Sequence, residues 1–255
     1  MKAADIGLRA KTYLEQKGVV GEPIPADKLT DQDARFPVRT LVNVQGSFFA
    51  YGCLFRGGKK MLFNSDSVAL GNSGGGEIFG NRFEYELPDS GSAAPNSAIC
   101  LAGVGGWATA NGPVRFENNT VINFASNASA AAVTAAAIDL NVQGSSTAVA
   151  ARNNIFINFA TGVRKMPTTA IEAYNFYQGV GQPVRRRDTD AADTLGTGSL
   201  VGTAGLGLNY EMYTSSPAYG TGSFQGYRND ALGGAFRNPP SMGGLEYKPP
   251  RTMRA

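Results

Sequence analysis

Between residues 46 and 178 the chain repeats one pattern. A short run alternates apolar and polar residues, breaks at Asn or Gly, and resumes as a second short run. The copies are Phe48–Phe55, Glu77–Tyr85, Val114–Phe124, Val149–Phe159 and Ala170–Tyr177. Taking the break as the second Asn of each copy, or its Gly equivalent, it falls at Gly52, Asn81, Asn119, Asn154 and Asn175, or 29, 38, 35 and 21 residues apart. Repeats on this scale build arrays in which each unit buries its apolar side against the next. The period of two makes the runs strands, not helical turns. Asn, and Gly more easily, tolerates the left-handed backbone that a sharp bend between two strands requires. Stacked copies place the same Asn one layer above the last, where its amide can donate and accept along the stack. Alternation puts Phe116, Val121 and Phe156 inside, with Arg115, Glu117 and Arg152 outside. The unequal spacings put loops on one edge, among them 71–76, 89–96 and 126–136. The Ala-rich stretch 128–137 reads as a short helix or as strand, and 138–142 reads as strand.

Composition fits such an array. Hydrophobic residues make up 42%, enough for a core, while charged residues are only 17% and glycines number 33, which suits many short strands and tight turns over a helical bundle. The net charge of +3 is spread along the chain. Residues 1–40 hold seven basic and six acidic side chains, 41–180 eight of each, and 181–255 eight and six. No nucleic-acid partner is expected. The one basic run, Arg185-Arg186-Arg187, is followed by Asp188, Asp190 and Asp193 and reads as local ion pairing. Histidine is absent, which removes most zinc and copper sites and the usual general base of hydrolases. Cys53 and Cys100 each sit among small or apolar residues and read as buried free thiols, with a disulfide between them as the alternative.

Residues 5–17 space Ile6, Leu8, Ala10, Tyr13 and Leu14 as a short amphipathic helix, with Asp5 as N-cap and Gly18 as stop. Residues 19–38 hold Pro23, Pro25 and Pro37 and read as an extended connector. Residues 1–39 thus form a cap for the first coil or a docking segment, 40–180 the repeats, and 181–255 a loop-rich cap and tail. No apolar signal core follows Met1 and no stretch approaches a membrane span. The expectation is a protein made in a host cytoplasm that reaches the outside in a particle, or one secreted after loss of a signal peptide.

The Asn-Asn repeats over residues 46–178 resemble the pectate-lyase-like family of right-handed parallel β-helix repeat proteins. A second resemblance lies at 208–247. Ser215-Ser216-Pro217-Ala218, then Gly220, Gly222, Asp230, Gly233, Arg237, Pro240 and Met242-Gly243-Gly244-Leu245-Glu246-Tyr247, is similar to the exit segment of such proteins, with Gly244 where Ala is commoner. The resemblance implies an all-β fold: a right-handed parallel β-helix of about five coils, with a short N-terminal helix and a C-terminal cap over its open end. Family members include polysaccharide lyases and hydrolases, phage tailspikes and virion fibres, and purely structural proteins, so the fold alone selects no chemistry.

Lyases of this family pair an Arg or Lys base with a calcium-binding acidic cluster. The outward acids here, Asp66, Glu77, Glu84, Glu86, Asp89, Glu117, Asp139 and Glu172, form no dense cluster, so no metal or cofactor is expected. A hydrolase needs convergent carboxylates. Glu84 and Glu86, two apart on one strand, with Glu77 nearby, are the candidate set, against the plainer reading of a solvated face. Arg115 and Arg152, at related positions of successive copies, make a ladder of surface salt links or a small sugar-binding face. Trp107, in the Gly-rich stretch 103–112, is a candidate stacking ring. Gly71-Asn72-Ser73-Gly74-Gly75 matches a serine-nucleophile pattern but has no histidine to activate it. The favoured expectation is a non-enzymatic bacteriophage protein: a head-decoration, fibre or tailspike-like component. It would be a homotrimer, in contact with other virion proteins and with cell-surface polysaccharide. A polysaccharide lyase or glycoside hydrolase is the alternative, and a carbohydrate-binding module without turnover the third reading.

Overall fold

The computed structural model describes residues 40–44, 48–56, 60–64, 76–85, 97–101, 114–124, 136–140, 149–165, 170–186, 191–207, 210–226, 230 and 234–246. All belong to the second of two compact units, Thr40–Ala255. The expected N-terminal helix and connector lie outside the described residues, as do Glu86, Trp107, the 71–75 motif and the side chain of Cys100.

The described residues are all-β. The strands are β1 (Thr40–Val44), β2 (Phe48–Tyr51), β3 (Leu54–Arg56), β4 (Lys60–Asn64), β5 (Gly76–Phe79), β6 (Arg82–Tyr85), β7 (Ser97–Leu101), β8 (Val114–Glu117) and β9 (Thr120–Asn123). They continue as β10 (Ala136–Leu140), β11 (Val149–Arg152), β12 (Ile155–Ile157), β13 (Thr161–Lys165), β14 (Ala170–Ala173), β15 (Phe176–Gln178), β16 (Gln182–Arg186) and β17 (Leu200–Val201). Three sheets hold them. Sheet A runs β1-β4-β7-β10-β13-β16, sheet B β14-β11-β8-β5-β2, and sheet C β17-β15-β12-β9-β6-β3. Up to β16 each strand pairs in parallel with the one three places later in its sheet. Parallel neighbours need a long return path. Here the other two strands of each triplet are that path. β16 and β17 extend the sheets past residue 180, where the sequence repeat ended.

Register aligns like residues in columns. In sheet B, Ala50, Ile78, Phe116 and Ala151 face one another across β2, β5, β8 and β11. Sheet C aligns Phe55, Phe83, Val121, Phe156 and Tyr177. Sheet A aligns Ile99, Ile138, Val163 and Val184. Most of these residues form one buried cluster drawn from all three sheets. Rings stack along it: Phe55 on Phe83 at 4.6 Å and Phe156 on Tyr177 at 5.5 Å. Phe116, Val121 and Phe156 face inward as the alternation predicted.

The bend between sheets B and C uses two residues with separate tasks. The first has positive φ: Gly52 (61°), Gly80 (65°), Asn118 (52°), Asn153 (55°) and Tyr174 (54°). The second supplies the amide ladder. Asn119 Oδ1 accepts from Asn81 N and Nδ2 at 2.9 and 3.0 Å, and Asn154 Oδ1 accepts from Asn119 N and Nδ2 at 2.9 and 3.2 Å. Asn175 Oδ1 accepts from Asn154 N and Nδ2 at 2.9 and 3.0 Å. Each Nδ2 also donates to the carbonyl of the strand before the bend: Asn81 to Ala50, Asn119 to Ile78, Asn154 to Phe116 and Asn175 to Ala151. Gly52 therefore lies one place before the ladder, and the ladder position of its triplet is Cys53, whose N–H donates to Asn81 Oδ1 at 2.8 Å. A left-handed bend and an amide ladder need adjacent residues, and reading both into one merged the two columns. Cys53 is exposed, not buried.

One further expectation is corrected. Glu172 does not face outward: it continues the inward column after Ala151. It closes the core at β14, where its carboxylate accepts from Tyr177 Oη at 2.9 Å, Asn175 Nδ2 at 2.8 Å, Ser199 Oγ and Gly196 N. Described residues of 204–246 lie on the outer face of sheet C, where Ile122, Ile155, Ile157 and Phe176 pack with Ala204, Met212, Ala218 and Met242. Strands apolar on both faces need cover on both, and this column supplied the face to be covered. The segment is tied to the bend as well: Asn118 Nδ2 donates to Ser241 O at 3.2 Å, and Gly243 N donates to Asn153 O at 2.6 Å. The end of the stack is met by 191–201, with Tyr174 N donating to Thr197 O at 2.8 Å and β17 paired to β15.

Candidate ligand-binding face

The outer face of sheet B has two columns. One aligns Tyr51, Phe79, Glu117, Arg152 and Ala173, the other Phe49, Glu77, Arg115, Ala150 and Ile171. The C-terminal segment covers much of the first. Phe236 packs edge-on against Phe79 at 5.7 Å, and Arg152 donates to Gln225 Oε1 at 3.2 Å. Glu117 is 1% exposed there and lies 3.6 Å from Arg152. The start of the second column stays open. Phe49 is 61% exposed and Tyr51 beside it 49%. Ala50 between them turns inward, so strand alternation forces both rings out.

These rings adjoin a connected polar group built from three neighbouring strands. Tyr51 on β2 donates its hydroxyl to Glu77 Oε2 on β5 at 2.6 Å, and Arg115 on β8 reaches Glu77 Oε1 at 3.6 Å. Burial, then the hydrogen bond to Glu77 and its negative charge, push the Tyr51 phenol up to about 12, while Arg115 pulls the other way. Tyr51 therefore stays protonated as a donor at neutral pH, and Glu77 has its charge balanced. The arrangement offers two ring faces, an acceptor and a cation within one exposed patch. That suits a ligand with apolar faces and hydroxyl edges.

The expected residues scatter otherwise. Glu77 and Arg115 meet in this patch. Arg152 lies in the other column, so the two arginines do not form one ladder; each instead reaches a glutamate on the strand before its own. Glu84 lies on sheet C, 1% exposed and ion-paired with Arg82, so it shares no face with Glu77. The carboxylate set drawn from the sequence is thereby split. Among the described residues no three His, Cys, Asp or Glu side chains gather where they could hold a metal ion. Phe49 and Tyr51 were missed as site residues. The signal was present, since two large aromatics flank an inward alanine in the first copy, but only the register brings Glu77 and Arg115 alongside them.

Comparisons with family models, curated proteins and solved structures find no match to this chain.

Proposed function

We propose that the three sheets wind as a right-handed parallel β-helix, and that the protein is a non-enzymatic, receptor-facing component of a bacteriophage particle that holds a cell-surface polysaccharide on the outer face of sheet B. The fold reading rests on the strand connectivity, in which the chain returns to each sheet after two intervening strands. Parallel crossover connections are right-handed in all but a few per cent of cases. The single observation behind binding is the exposed Phe49–Tyr51 pair set against the Glu77–Arg115 pair. Binding without turnover is favoured because Glu77 already answers Tyr51 and Arg115 while Glu84 is buried on another sheet. The placement in a phage particle, and assembly as a homotrimer with other virion proteins, rest on the resemblance to pectate-lyase-like repeat proteins.

The test is retention of bacterial surface polysaccharides by the wild type, Phe49→Ala and Tyr51→Ala, with polymer length measured before and after. Expected are retention by the wild type, at least tenfold weaker retention by Phe49→Ala, and unchanged polymer length. Shortening of the polymer that disappears in Glu77→Gln replaces this reading with an enzyme. Retention indifferent to both aromatic substitutions, or no retention at all, overturns it. Sedimentation of the full chain tests the trimer.

A further inference from the structure

A recess lies at the bend between sheets B and C. Its walls include Cys53, Leu54, Arg82, Tyr210 and Leu245, and it encloses about 150 Å³ while staying open to solvent. Gly52, Gly80 and Gly244 also line it, without side chains. A Cβ added to Gly244 would come within 3.3 Å of Gly80 O, so the bare backbone surfaces fit closely there.

Three observations mark the recess as more than a gap. Tyr210 is a bulky residue held at φ 64°, a conformation that costs on the order of 1–3 kcal/mol and persists only where surroundings enforce it. Its ring is held by the Arg82 guanidinium, 4.4 Å from the ring centroid, and by a T-shaped contact with Phe124 at 6.1 Å. Arg82 is itself held by Glu84, so its charge is compensated and its position is set before any ligand arrives. The result is a largely apolar, electrically balanced slot. An enclosed apolar cavity of about 150 Å³ holds benzene, so this open recess has room for one ring of that size.

We propose that this recess binds a single uncharged aromatic ring of the phenol class, seated among Leu54, Tyr210 and Leu245 with its hydroxyl left towards solvent. The reading is independent of the polysaccharide face. A charged ring is disfavoured because Arg82 is already matched by Glu84. A sugar ring is disfavoured because the Gly52, Gly80 and Gly244 N–H groups already donate to Phe79 O, Glu117 O and Thr120 Oγ1, leaving its hydroxyls few partners in a largely apolar recess.

Cys53 supplies the readout. It is solvent-accessible, and partial enclosure by the recess raises its thiol pKa. Alkylation of Cys53 by iodoacetamide, followed on its own peptide by mass spectrometry, is measured with and without p-cresol. A ligand of this size binds with a Kd of about 1 mM, so about 10 mM p-cresol is expected to slow alkylation roughly tenfold. Methyl glucoside at the same concentration is expected to leave the rate unchanged. Tyr210→Gly keeps the left-handed backbone and removes the ring, and protection is expected to vanish. Leu54→Trp, at a 40% exposed rim position, fills the recess without disturbing the core and is expected to abolish protection as well. An unchanged rate with p-cresol, protection by methyl glucoside instead, or equal protection in Leu54→Trp overturns the proposal.

Discussion

The amide ladder makes a quantitative demand on Asn119. Its side chain is fully buried and makes four hydrogen bonds: it accepts from Asn81 N and Nδ2 and donates to Ile78 O and Asn154 Oδ1. Asn119→Ala leaves the Asn81 main-chain N–H and the Ile78 carbonyl without this partner, in a site closed to water. Each such buried group costs about 1–3 kcal/mol when unsatisfied, and the two side-chain amides at either end lose a neighbour each. The expected loss is about 4 kcal/mol, which for a chain of this size is a fall in Tm of about 8–16 °C. Urea unfolding followed by circular dichroism measures it, with the m-value checking that the transition stays two-state. Ser199→Ala is the internal control. Ser199 ends the ladder, donating to Glu172 and accepting from Asn175 N at 3.0 Å in a partly buried site, and is expected to lose only about 1 kcal/mol. A loss under about 1 kcal/mol for Asn119→Ala, or one no larger than that of Ser199→Ala, refutes the ladder as a main source of cohesion between layers.

Further perturbations separate the remaining contacts. Tyr85 is fully buried and its hydroxyl has no hydrogen-bond partner among the described residues, so Tyr85→Phe is expected to be neutral or to stabilise by about 1 kcal/mol in the same urea assay. Glu172→Ala strips four donors of their acceptor at the end of the core and is expected to cost at least about 3 kcal/mol, against a near-silent Phe49→Ala. Burial raises the phenols of Tyr51 and Tyr85 to about 12 and that of Tyr177 well above its usual value. An unfolded tyrosine titrates near 10, so the unfolded state releases these protons first. Their contribution is therefore complete below about pH 10 and lost as pH rises towards 12 and beyond, which unfolding midpoints at pH 9 and 11 will show. Absorbance titration of Tyr51 carries its own sign test: Glu77→Gln lowers its pKa below about 12, and Arg115→Ala raises it further.

Much of the array was legible because the core columns obey a strict period of two. Phe83, Phe116, Val121 and Phe156 announce their side of the strand by their neighbours alone. The sheet A strands were harder to see. Lys60–Asn64 and Ser97–Leu101 stand between connections of uneven length, so no fixed offset joins them to the Asn marker. Glu172 misled because a carboxylate on a strand is normally outward. Its inward place is set by the end of the stack, where Ser199 and Gly196 arrive from outside the repeat. The candidate site was half legible. Glu77 and Arg115 were singled out for their chemistry, but the spacing gave no hint that Phe49 and Tyr51 would join them, because 26 residues separate Tyr51 from Glu77.

What the sequence determined by itself is local and periodic: strands by alternation, bends by Asn and Gly, and an interior by the recurrence of large apolar residues at one parity. What only the tertiary structure decided is which strand lies against which, and what covers the outer faces. Ile122, Ile155 and Ile157 look like ordinary strand residues in one dimension. They become a second buried surface because Ala204, Met212, Ala218 and Met242 lie back across the outer face of sheet C and remove that apolar area from water. Register is a long-range property. It joins residues dozens of positions apart through main-chain hydrogen bonds that every residue type makes alike, so it is marked in the sequence chiefly where a side chain takes part, as along Asn81, Asn119, Asn154 and Asn175.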